Sequence, residues 1–166
     1  MKKFLLLGLF CVAFLLGYSF NRLTNPVNKG PRVTGLGGIF FKAKDPKGLE
    51  AWYSKNLGIR VGDYGANFEW HQGMDSTKKG FTVWAPFKET TKYFQPSEKQ
   101  FMINYRVEGL TQLLAQMKAA GILPTDSVEK TSYGDFVHLM DPEGNKIELW
   151  EPNDVGYAKM GSNTTK

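Results

Sequence analysis

Residues 141–152 read DPEGNKIELWEP. Asp141, Pro142, Gly144 and Asn145 are turn formers, and the alternating run that follows puts Ile147 and Leu149 on one side of a strand and Glu148 and Trp150 on the other. Before the turn, residues 136–140 (FVHLM) alternate too, so the segment reads as a hairpin. The ending KIELWEP is answered earlier in the chain by GFTVWAP at residues 80–86. Trp84 and Trp150 lie 66 apart, as do Pro86 and Pro152.

The correspondence extends upstream. GGIFFKAKDPKGLEAWYSKNLGI at 37–59 and QFMINYRVEGLTQLLAQMKAAGI at 100–122 share one plan of strand, helix and glycine, with Phe41 and Tyr105 64 apart and Gly58 and Gly121 63 apart. Matching order at a near-constant period is the mark of a duplication. In the second helix Leu110, Leu113, Leu114 and Met117 follow i, i+3, i+4, i+7, and Gly121 sits where a left-handed cap is wanted. The first helix, with Pro46 in its opening turn, is expected to bury Leu49, Trp52 or Tyr53, and Leu57. The remaining strands are expected at 67–71 and 80–85, with the pair 136–140 and 146–150 closing the second half. Strand parity sets Ile39, Phe41 and Ala43, with Ile103, Tyr105 and Val107, under the helices. Gly38, Phe40 and Lys42, with Met102, Asn104 and Arg106, then line the concave side.

A strand running into Asp-Pro, a helix with Trp52-Tyr53 that closes on Leu57-Gly58, and the DPEGNKIELWEP ending together resemble the vicinal oxygen chelate superfamily, the group of glyoxalase I, bleomycin-resistance proteins and extradiol dioxygenases. The resemblance covers residues 35–153. It implies an α+β fold of two βαβββ modules whose mixed sheet curls around a cleft. In the metalloenzymes of that group a divalent metal sits in the cleft, held from the first and last strands of each module. Transferred here, those four places fall on Gly38, Thr82, Met102 and Glu148. Only Glu148 is a ligand type for hard divalent ions, and one carboxylate does not hold a catalytic metal. The expectation is no metal at the standard place and no other cofactor.

The chain has two histidines. His138 shares parity with Phe136 and Met140, which puts it on the side of Glu148 as a Glu–His pair able to serve acid–base work, or as a packed histidine. Glu148 and His138 are therefore the catalytic candidates, with a second pair expected at Glu69 and His71 or a solvated face there. The alternative fate of Glu148 is an ion pair with Arg106 or Lys42. The ligand-binding cleft is expected from Phe40, Trp84, Met102, Asn104, His138, Glu148 and Trp150, with Trp70 and Tyr133 unplaced. The loop 86–99 joins the modules, and its Tyr93 and Phe94 either cover the cleft or pin the loop.

Composition narrows the function classes. Of 21 Lys and Arg, four lie in residues 1–30, which hold no acid; the remaining 17 nearly balance 16 Asp and Glu, so a basic nucleic-acid surface is not supported. The single cysteine, Cys11, rules out a disulfide, a Cys-rich zinc site or a thiol nucleophile in the body. Lys2 and Lys3 precede seventeen uncharged residues, 4–20, about 25 Å of helix against a hydrocarbon core of about 30 Å. Residues 1–20 thus read as a signal peptide, cut after Ser19, or a retained anchor, either placing the body outside the cytoplasm. Residues 21–35 read as a linker and 36–155 as the domain, with modules at about 36–88 and 99–153. Residues 156–166 read as a polar tail bearing the sequon Asn163-Thr164-Thr165. The stretch Gly35-Leu36-Gly37-Gly38, set before a strand, lacks the context of a phosphate loop.

The leading expectation is a protein that holds a small, partly aromatic or hydrophobic molecule between its modules. The rivals are a metal-dependent lyase, isomerase or dioxygenase of the same superfamily with a rearranged site, and a partner-binding domain at a membrane surface. A homodimer is compatible with each.

Overall fold

The computed structural model describes residues 30–73, 75–160 and 164–165, and everything below concerns the unit Pro31–Lys166. The expectations for residues 1–20, most of the linker and Asn163 lie outside the described residues. Among those described, no helix is long and apolar enough to cross a membrane.

The first module runs β1 (Arg32–Ala43), α1 (Pro46–Leu57), β2 (Val61–Gly62), β3 (Gly65–Gln72) and β4 (Asp75–Lys88). The second runs β5 (Phe101–Glu108), α2 (Leu110–Ala119), β6 (Glu129–Thr131), β7 (Gly134–Met140) and β8 (Lys146–Pro152). Two short elements follow, α3 (Asp154–Met160) and β9 (Thr164–Thr165). This is βαβββ written twice in one mixed sheet, ordered β2-β3-β4-β1-β5-β8-β7-β6, with β9 added to β3. Each module pairs its first and last strands in parallel, and the modules join where β1 meets β5 antiparallel.

Local chemistry sets the helix ends. Asp45 accepts from the Gly48 N–H at 3.0 Å, Pro46 opens α1, and Gly58 closes it in the left-handed conformation at φ 69°. Helix α2 has no side-chain cap of its own. The Glu151 carboxylate on β8 accepts from the N–H groups of Gly109 and Leu110 at 2.7 and 3.2 Å, which supplies the cap from the far end of the module. The predicted stripe is the one that packs. Leu110 is buried with Val107, Val137, Leu139 and Leu149, and Leu113, Leu114 and Met117 lean on that cluster.

Four expectations are corrected. Strand β1 starts at Arg32, so the glycines of residues 35–38 lie within it, at two bulges. Within the stretch expected as a polar tail, residues 156–160 belong to α3, and its Tyr157 packs on Phe81 and Trp150 with ring centroids 5.0 Å apart in each case. In the first helix Leu57 is 61% exposed and Trp52 54%, leaving Tyr53 as the ring that meets the sheet, against Trp84. Trp84 itself sits on the helix side, between Phe41 and Tyr53, not in the cleft.

The reason for the last correction is register. The pair Asn104↔Glu148 in the second module matches Phe40↔Ala85 in the first, and Arg106↔Trp150 matches Lys42↔Phe87. The partner of Trp150 is thus Phe87, three residues beyond Trp84, and an odd slip turns a strand residue to the opposite face.

Candidate functional site

Between the modules the sheet leaves a cleft of about 940 Å³. Two sets of rings line it. Phe40 and Phe87 meet edge to face at 5.6 Å, and Phe87 stacks on Tyr93 at 5.6 Å. In the second module Phe136 stacks on Trp150 at 5.7 Å, Tyr133 packs edge-on against Phe136, and Tyr157 of α3 completes the set. Charged residues, among them Lys44, Lys47, Asp63, Lys88, Glu89 and Glu129, also line it.

Asn104 and Glu148 are the polar pair between these rings, and both are 2% exposed. Glu148 accepts three hydrogen bonds: from the Tyr93 hydroxyl at 2.5 Å and His138 Nε2 at 2.8 Å on Oε1, and from Asn104 Nδ2 on Oε2. His138, 6% exposed, places Nδ1 2.5 Å from Asp126 Oδ2, and its backbone N–H donates to the other oxygen of Asp126 at 2.9 Å. A carboxylate offers only acceptors, so two of them on one imidazole call for a proton on each nitrogen. Burial pulls the imidazole pKa down, but the bonds to Glu148 and Asp126 outweigh it and hold the value above the ordinary 6.5. Burial, with Glu148 beside it, pushes the Tyr93 hydroxyl far up, so it stays a donor. Burial lowers Lys146, whose ammonium donates to the Tyr93 carbonyl at 2.7 Å.

Of the residues expected in the cleft, Phe40, Asn104, Glu148 and Trp150 line it. Met102 does not, being fully buried, and Trp84 does not, lying under α1. His138 stands behind Glu148 and reaches the cleft only through it. Neither expected ion pair of Glu148 forms. Arg106 instead gives Nη2 to both oxygens of Asp154 on α3, at 2.9 and 3.1 Å, with its guanidinium 5.1 Å from the Trp150 ring and 5.7 Å from that of Trp70. The Glu69–His71 pair is also absent, since Glu69 bonds Lys79 at 3.2 Å and His71 is exposed. Phe94 is fully buried and pins the loop, whereas Tyr93 beside it lines the cleft. Sequence reading missed Asp126 as a partner of His138 and Tyr93 as a partner of Glu148. Tyr93 left a trace, as an aromatic in a loop long enough to fold back; Asp126 sits among turn residues that fit any loop.

Register also moves the four places that the resemblance implied, once Glu148 is paired with Asn104 and the matching pair is taken in the first module. They fall on Phe40, Ala85, Asn104 and Glu148, in place of Gly38, Thr82 and Met102 with Glu148. Thr82 is occupied elsewhere, accepting from the Trp70 indole and donating to the Leu36 carbonyl. A benzyl group and a methyl group offer no donor atoms, and Glu148 is already bonded to three protein groups. These residues do not fit a divalent metal. Among the described residues no cluster of three or more His, Cys, Asp or Glu could hold one.

No protein-family model matches the sequence, and no curated protein matches it. Solved structures do. A variant of the Streptomyces coelicolor methylmalonyl-CoA epimerase in complex with 2-nitronate-propionyl-CoA superposes with TM-score 0.54 at 15% identity, over 74% of this chain and 99% of that one. A methylmalonyl-CoA epimerase in complex with methylmalonyl-CoA and ammonium gives TM-score 0.54 at 12% identity, over 74% and 96%. A glyoxalase/bleomycin resistance protein/dioxygenase superfamily member from Vibrio splendidus gives 0.44 at 14%, over 74% and 99%. The fold is that of the vicinal oxygen chelate superfamily.

Proposed function

We propose that this protein holds a small, partly aromatic or hydrophobic molecule in the cleft between its modules, without a metal. The observation behind the reading is the pairing of ring-lined walls with a polar centre whose one carboxylate is taken up by Tyr93, Asn104 and His138. Apolar walls supply affinity through buried area, and a few fixed polar groups supply orientation. The test is a compound library screened by melting temperature in the presence of a chelator. A ligand at 100 times its Kd stabilises by about 2.7 kcal/mol, a shift of about 5–10 °C at this chain length. Phe40→Ala and Phe136→Ala, one in each module, should each weaken a hit while the unliganded protein still melts cooperatively. Hits whose affinity neither change touches would place the binding elsewhere and defeat the reading.

A second reading rests on the Asp126–His138–Glu148 chain. A histidine bridging two carboxylates, one of them at the cleft, can move a proton to or from a bound molecule. The chemistry would be a metal-independent isomerisation at an acidic C–H bond. It predicts that a hit is converted, with solvent deuterium entering it, and that Asp126→Asn slows the exchange; a hit recovered unlabelled speaks for binding alone. For the whole protein we propose a body outside the cytoplasm, from the charge-free residues 4–20 behind Lys2 and Lys3. Fractionation of the source cells, with mass spectrometry of the N-terminus, checks this and tells a cut signal from an anchor.

A further inference from the structure

The rings of the cleft fall into two sets that do not touch. Phe40, Phe87 and Tyr93 make one. Tyr133, Phe136 and Tyr157, backed by Trp150, make the other. Among the described residues no ring contact joins a member of one set to a member of the other. Both sets keep surface open to the cleft. Tyr93 is 41% exposed, and Phe40, Phe87, Tyr133, Phe136 and Tyr157 are half-buried. Trp150 is buried and only supports the Phe136 ring stacked on it.

Register measures the gap between them. On β5, Met102 pairs with Phe40 and Arg106 with Trp150, which pairs in turn with Phe136. The two rows are thus four residues of strand apart, about 13 Å at about 3.3 Å per residue. The row between them holds Asn104, Glu148 and His138, whose polar groups are bonded to one another and to Tyr93 and Asp126. That row breaks the apolar surface in two. A molecule with one ring covers one set and leaves the other in water. The cleft, at about 940 Å³, has room for more; it lies near the top of the range for sites that bury a drug-sized molecule, about 300–1,000 Å³. Covering both sets removes about twice the apolar area from water, and once one end is seated the other binds as a tethered group.

We infer that the cleft takes a two-ended ligand, with an aromatic or planar apolar group at each end and a spacer long enough to cross the Asn104–Glu148 row. This rests on the cleft-binding reading and names the class of molecule bound there.

Three neutral probes that share an amide decide it, each titrated and followed by ligand-observed NMR. N-benzyl-4-phenylbutanamide carries its two rings far apart, N-benzylbenzamide carries two close together, and N-benzylacetamide has one ring. The long probe should bind at least about tenfold tighter than either of the others. Phe40→Ala and Phe136→Ala, at opposite ends of the span, should each erase that advantage. A cooperative melt shows that a variant is folded; where an alanine variant fails that check, Phe40→Leu or Phe136→Leu, which removes the ring and keeps most of the bulk, carries the test. If the short or the one-ring probe binds as tightly as the long one, the two-ended ligand is overturned. The cleft reading then stands if either substitution weakens that probe, and falls with it if neither does. An advantage of the long probe that survives in either folded variant also overturns the two-ended ligand. If none of the three binds while library hits stabilise the protein, the two-ended ligand is again overturned and the cleft is not. If neither the probes nor the library binds, both readings fall.

Discussion

Glu148 and His138 show how far a residue's role depends on its neighbours. Parity alone placed both on one side of the last hairpin, and they do meet, at 2.8 Å. What parity could not supply was the loop that brings Tyr93 to one and the turn that brings Asp126 to the other. The histidine's contribution to stability has a definite sign with pH. Its pKa is higher folded than unfolded. The stabilisation is therefore complete below the unfolded value, about 6.5, and is lost as the pH rises through the folded one. Melting curves between about pH 5 and about pH 8 should show wild type losing its advantage over His138→Gln as the pH climbs; a gap that widens with pH would refute the charged imidazole. Trp84 teaches the opposite lesson, because its match to Trp150 in spelling hid a slip of three residues in space. Packed between Phe41 and Tyr53 but only half-buried, it should cost at most about 3 kcal/mol on change to alanine. Denaturant melts would read that loss, and the affinity of any cleft ligand should stay the same.

Among the elements, the two helices and the hairpin at 134–152 were legible because turn and cap residues stand at their ends and the apolar spacing has one period. The bulged strand β1 was half legible. Its glycines were visible, but their position inside the strand depends on the bulges at residues 33–35 and 36–38 and on the large groups that crowd them, Trp70, Trp150 and Asn104. Helix α3 was not legible at all. Seven residues offer too few turns for a period to show, and its anchors, Asp154 on Arg106 and the Tyr157 hydroxyl on Asn67, are tertiary. Helix α2 owes its N-terminal cap to Glu151, 42 residues further along the chain than Gly109. Glu151→Ala should cost about 1 kcal/mol, seen as a lower midpoint in urea with an unchanged slope. No loss of stability would mean that solvent caps these N–H groups equally well.

The unit Pro31–Lys166 is two copies of one plan meeting at the β1–β5 seam, and the cleft follows from that geometry. Register leaves the four central places as Phe40, Ala85, Asn104 and Glu148, and the proposal of a metal-free binding cleft rests on the composition of those four places. Duplication was readable from the repeat; the identity of the four places was not, because it turns on strand register, which a gap of one residue between halves can alter. The measurement that tests the account most directly is the stabilisation of the protein by a cleft ligand, taken once in chelator and once with an added divalent metal such as manganese, nickel or zinc. The account predicts the same rise in melting temperature in both. A rise that appears only with the metal, and vanishes on Glu148→Ala, would contradict it.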